Sequence, residues 1–171
     1  GVLQAGQNVN SEVAPKSRSH VKSPYVGLVP FSEKHAEFFY GRKEVSKIIA
    51  ANLRAARLTL VYGPSGVGKS SVLRAGVVSP LRKIASHALE TRGAPDFAVV
   101  YFYLWASDPL EDLSQAIREA VQTSLGLATV DSIPATRSLV EIIKTWTERY
   151  GIELLIILDQ FEEYFLYHED E

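Results

Sequence analysis

Gly63-Pro64-Ser65-Gly66-Val67-Gly68-Lys69-Ser70 is the stretch on which the fold turns, and it fits the pattern G-x-x-x-x-G-K-[ST]. Each position has a physical task. Glycines let the backbone curl until successive N–H groups point inward at phosphate oxygens. A helix opening at Lys69 adds the positive end of its dipole to the same anion. Lys69 reaches the β- and γ-phosphates as a point charge, and Ser70 offers its hydroxyl to Mg²⁺. The predicted nucleotide-binding residues are therefore Gly63, Pro64, Ser65, Gly66, Val67, Gly68, Lys69, Ser70 and Ser71, with Lys69 also acting on the transferred phosphoryl group.

Working outward, the apolar run Arg57–Tyr62 predicts a strand delivering the chain into the loop. Before it, Val45, Ile48, Ile49, Leu53 and Ala56 recur at helical spacing. After it, Lys69–Val78 predicts a helix that Pro80 stops or kinks. Ala98–Trp105 predicts a second strand. Asp108, Pro109 and Glu111 then fall at the N-cap, N1 and N3 of a helix, the pattern of a capping box. Its inward face is Leu110, Leu113, Ile117, Val121 and Leu125, and Gly126 stops it. A further helix carries Leu139, Ile142, Ile143, Trp146 and Tyr150 and ends at Gly151.

Glu153–Leu158 predicts a third strand that runs into Asp159. Such a strand delivers its carboxylate to the edge of the sheet where ligands of open α/β sheets lie. There Asp159 shares Mg²⁺ with Ser70, giving a metal pair of one hydroxyl and one carboxylate. Glu162 and Glu163 follow within a turn and are the candidates to orient an attacking water. The alternative for both is a solvated helix start favoured by the dipole. Strands alternating with helices give an α/β fold, a parallel sheet with helices on both faces, in the three-layer P-loop manner.

Composition sets the outer bounds. The chain has 171 residues, 46% hydrophobic and 22% charged, which is globular rather than disordered. It has no cysteine, which excludes disulfides and thiolate chemistry, and no methionine. The longest apolar run, ten residues at Phe97–Ala106, is far short of the ~20 that span a bilayer. With no secretory h-region either, a cytoplasmic location is expected. Residues 1–57 carry nine Lys/Arg against four Asp/Glu, and the remainder nine against sixteen. No basic stripe with interleaved aromatics is present, so no direct nucleic-acid binding is expected. Residues 1–24 are polar and read as a linker or tail, leaving 25–171 as the domain segment. His20, His35, His87 and His168 lack metal-ligand spacing and read as surface residues, whereas Trp105 and Trp146 read as core.

Four blocks in order resemble the novel STAND NTPases, signal-transduction ATPases related to the NACHT and AAA+ proteins. They are Pro24–Phe31, Phe39-Tyr40-Gly41-Arg42, Gly63–Ser71 with Leu73-Arg74-Ala75-Gly76, and Asp159-Gln160-Phe161-Glu162-Glu163. The resemblance implies ATP or ADP with Mg²⁺ as ligands and gives Arg42, with Tyr40, a contact to adenine and ribose. It implies an ATP-dependent regulatory switch that self-oligomerises. It also implies an effector domain upstream, and a winged-helix region and WD or TPR repeats downstream. On that pattern the chain is cut after the Asp159 strand, the strand next to Arg57–Tyr62 lies beyond Glu171, and residues 1–171 alone are expected to be inactive and poorly soluble. Two departures stand out. Lys43 stands where an acid is common, and Gln160 stands where many of these ATPases place a catalytic glutamate. Slow hydrolysis, or nucleotide binding without turnover as a scaffold, follows from the second.

Other P-loop classes fit less well. The loop also looks like that of guanylate kinase, but only Thr91-Arg92 hints at the arginine-rich substrate stretch of those enzymes. A GTPase lacks its Asn-Lys-x-Asp and the glycine of Asp-x-x-Gly. A serine-hydrolase elbow fails at Val67.

Overall fold

The computed structural model describes residues 33, 36, 41–129 and 138–169. The expected linker at 1–24 and the aromatic segment from Tyr25 to Tyr40 lie almost wholly outside them. The described elements run α1 (Lys43–Ala55), α2 (Lys69–Ser71), a π-helical segment (Val72–Val78) and α3 (Ser79–Arg92). Then come β1 (Phe97–Phe102), α4 (Pro109–Leu125), α5 (Leu139–Tyr150), β2 (Glu153–Leu158) and α6 (Glu162–Tyr167).

β1 and β2 pair in parallel, in register from Phe97 opposite Glu153 to Phe102 opposite Leu158. Alternate residues of each strand point to opposite faces, and both faces are apolar and covered by helices. On one face Ala98, Val100 and Phe102 pack with Leu113, Ile117 and Val121 of α4 and with Ile142 and Trp146 of α5. On the other, Phe97, Val99, Leu155 and Ile157 pack with Leu73, Val77, Leu81 and Ala85, and Ile49 and Leu53 of α1 lean on that cluster. Each fully buried aliphatic side chain contributes about 1.5–3 kcal/mol. The α/β character expected from alternating strands and helices is therefore present.

The cross-over helices start and stop where their end residues dictate. The Asp108 side chain accepts from the N–H groups of Leu110 (3.0 Å) and Glu111 (3.1 Å), with Pro109 at the first position. The complete capping box lies on α5 instead, between Ser138 and Glu141. Gly126 and Gly151 end α4 and α5 in the left-handed conformation.

Three sequence expectations change. Pro80 does not stop the helix. The π-helical segment has already shifted the register, with Ser79 N–H donating to Arg74 O five residues back. Pro80 then sits in the first turn of α3, where a missing N–H is tolerated. Second, Arg57–Tyr62 forms no strand and pairs with none among the described residues. Its side chains alternate as a strand's do, with Leu58, Leu60 and Tyr62 exposed and Thr59 and Val61 half-buried. Apolar alternation reports a strand's faces, whereas pairing requires a neighbour alongside it. Third, Val45, Ile48 and Leu110 share helical spacing with buried residues yet lie exposed: Ile48 falls on the side of α1 away from Ser46, Ile49 and Leu53, and Leu110 lies in the opening turn of α4, ahead of its buried residues.

Candidate functional site

The loop joining Tyr62 to α2 takes its shape from two glycines. Gly66 (φ 78°) and Gly68 (φ 87°) occupy the left-handed region, which side-chain-bearing residues reach only at a penalty. A Cβ at either would meet nothing within 4 Å, so backbone conformation rather than space selects glycine there. The helix's first hydrogen bond runs from Val72 N to Gly68 O (3.0 Å). The amides of Lys69 and Ser70 are thus not consumed by the helix. Lys69 curls back over the loop, its Nζ donating to Gly63 O (2.9 Å) and Pro64 O (3.1 Å).

Asp159 ends the second strand. Its N–H extends the ladder by donating to Phe102 O (2.8 Å), and the residue is buried. The carboxylate is satisfied at both oxygens. Oδ2 accepts from the Tyr101 hydroxyl (2.5 Å) and Oδ1 from the Gln160 N–H (3.1 Å). The Asp159 carbonyl accepts from Trp105 Nε1 (2.8 Å). Burial, and then the adjacent carboxylate, push the Tyr101 hydroxyl far above its ordinary pKa, so it stays protonated and donates.

An aromatic bridge links the segment that follows the loop to the carboxylate. The Arg74 guanidinium, one turn beyond Ser70, lies 5.3 Å from the Tyr101 ring centroid and 5.2 Å from that of Tyr103. The same strand that carries Tyr101 lies alongside β2, whose next residue is Asp159. Trp105 seals the edge, packing edge-on to Phe102 (4.8 Å) and Phe161 (5.1 Å).

A profile of the family described as Novel STAND NTPase 1 matches residues 24–171. The chain belongs to that family. No curated protein and no solved structure matches it significantly.

The other residues singled out in the sequence fall around this STAND NTPase edge in different ways. Glu162 and Glu163 open α6, Glu162 exposed and Glu163 half-buried. Glu163 Oε1 accepts from Gln160 Nε2 (2.5 Å). Gln160 itself is left-handed, with φ 55°. Ser71 closes α2, half-buried. Arg42 caps α1 through its backbone, its carbonyl accepting from Ser46 N (3.0 Å) and Ser46 Oγ (2.9 Å). Its exposed side chain is not brought to the loop by any hydrogen bond or ion pair among the described residues, and Tyr40 lies outside them.

Sequence reasoning missed Arg74, Tyr101 and Trp105 as site residues. The available signal was a strand end with a hydroxyl-bearing ring at alternate positions, Tyr101 and Tyr103, where an all-apolar strand needs none. His168 also corrects its expected surface role: its Nε2 lies 2.8 Å from Trp105 O, and its ring stacks on Tyr164 (5.0 Å).

Proposed function

We propose that this STAND NTPase segment binds ATP and Mg²⁺ and serves as the nucleotide-dependent switch of a larger signalling protein. The single observation that carries the reading is the continuity from loop to carboxylate. A glycine-shaped loop feeds Lys69 and Ser70 into a helix whose next turn reaches Asp159 through Arg74 and Tyr101. The donor set suits the metal, since a serine hydroxyl and a carboxylate are the hard oxygen ligands that Mg²⁺ takes alongside water. Bound there, the ion would neutralise charge on the β- and γ-phosphates.

In this reading the backbone N–H groups between Gly63 and Ser71, of which Pro64 supplies none, cradle the phosphates. Lys69 exchanges its two loop carbonyls for phosphate oxygens. Ser70 and Asp159 hold the metal and its water shell. Glu162, exposed at the start of α6, orients the attacking water, with Glu163 behind it. Arg42 borders the base and ribose. The domain spans 25–171 after a linker at 1–24, works in the cytoplasm and self-associates in its ATP state; hydrolysis to ADP resets it. Repeats and an effector in cis give it a signal and an output.

The test is titration of a fluorescent ATP analogue into the full-length protein with Mg²⁺, read by anisotropy. Saturable binding that Lys69→Ala weakens about tenfold to a hundredfold is expected. Absence of saturable binding to the unaltered protein overturns the reading.

A second reading, a scaffold that binds nucleotide without turning it over, draws on Gln160. It occupies the position after Asp159 and bonds Glu163 Oε1, drawing that carboxylate toward itself. Single-turnover assays separate the two: phosphate release within minutes favours the switch, and retained ATP with full binding favours the scaffold.

A further inference from the structure

We propose that Tyr101 is a positioning residue for the metal-facing carboxylate, and that Arg74 carries this position back to the phosphate-binding helix; the inference rests on the nucleotide reading above. A carboxylate as buried as that of Asp159 needs partners for its oxygens. It has one fixed donor on each, the Tyr101 hydroxyl on Oδ2 and the Gln160 amide on Oδ1. Two donors on opposite oxygens lock rotation about the Cβ–Cγ bond. Each oxygen has a second lone-pair direction, so the group keeps its capacity to hold a metal-bound water while losing its freedom to turn away.

The hydroxyl is what packing alone does not require. Tyr101 is half-buried, and a phenylalanine would fill the same space beside Val99 and the π-helical segment. The ring is itself held from the other side. Arg74 lies within cation–π distance of Tyr101 and Tyr103, whose centroids are 5.7 Å apart. A guanidinium on the helix that starts at Lys69 therefore sets the ring that sets the carboxylate. Movement of the phosphate-binding helix is transmitted to Asp159 through side chains in direct contact.

The experiment measures affinity of a fluorescent ATP analogue for the full-length protein with Mg²⁺ and with EDTA. The ratio of the two affinities is the readout. Tyr101→Phe is expected to lower the ratio by about tenfold, the scale of one hydrogen bond to a charged group, and to leave the EDTA affinity unchanged. Arg74→Met, which keeps the aliphatic stem, is expected to lower the ratio by about threefold. It also decides the matter if the tyrosine variant fails to fold. An unchanged ratio in the folded variants overturns the inference and leaves the nucleotide reading standing. An equal fall with and without Mg²⁺ assigns Tyr101 a merely structural role and also overturns it. A ratio of one in the unaltered protein overturns the assignment of Ser70 and Asp159 to the metal, and the inference with it.

Discussion

Lys69 and Gln160 show how single residues set this edge. Lys69 is expected to matter for ligand and not for fold, because its ammonium bonds carbonyls of its own exposed loop. Lys69→Ala should weaken ATP binding about tenfold to a hundredfold, the range for a lost charge-assisted bond, while the urea midpoint stays within error. Gln160 behaves in the opposite way. Its positive φ is a strained conformation for a side-chain-bearing residue. Gln160→Gly should raise stability by up to about 1 kcal/mol, and Gln160→Val should lower it by about 1–2 kcal/mol, both read from urea unfolding. The glycine variant also frees Glu163, so a rise in phosphate release together with stability would tie the residue to turnover. The role of Lys69 was legible in the linear chain, whereas the backbone strain at Gln160 was not. A glutamine after an aspartate carries no mark of a left-handed backbone.

At the scale of elements, helix ends were legible because end chemistry is local. Asp108-Pro109 and the glycines at 126 and 151 act within a few residues, and the structure ends both helices there. β2 was legible in full, being an apolar run bounded by Gly151 and Asp159. Pro80 was misread because the rule that proline breaks helices assumes an undisturbed α-register, and the preceding π turns remove that premise. Periodicity likewise gave the right arc of α4 but not where along the helix its burial begins. Ile117 is fully buried and Leu110 is 61% exposed, although both sit on the predicted face. Ile117→Ala should therefore cost about 2–5 kcal/mol in urea unfolding, against under about 0.5 kcal/mol for Leu110→Ala. Equal costs would show that the helix is rotated from the arrangement described. The Tyr101–Asp159 contact spans 58 residues of sequence and depends on two strands lying side by side. Local pattern has no access to it.

At the scale of the molecule, the segment from Arg57 to Tyr62 presents Leu58, Leu60 and Tyr62 to solvent at 85%, 78% and 86% exposure. Three neighbouring apolar side chains on a run that is unpaired among the described residues form an association-prone surface. Residues 1–171 by themselves should self-associate, as seen by light scattering. Leu58→Lys with Leu60→Lys should return them to monomers; persistent association of the double variant would locate the sticky surface elsewhere. The helix that leaves the loop has its own consequence for the whole. Leu73 and Val77 of the π-helical segment and Leu81 and Ala85 of α3 all reach a single core. Removing one residue between 72 and 78 would restore the narrow turn and swing Lys69 and Ser70 by about 100° around the axis relative to α3. The aim of the phosphate-binding end is thus a matter of phase, set by one surplus residue in the shaft behind it.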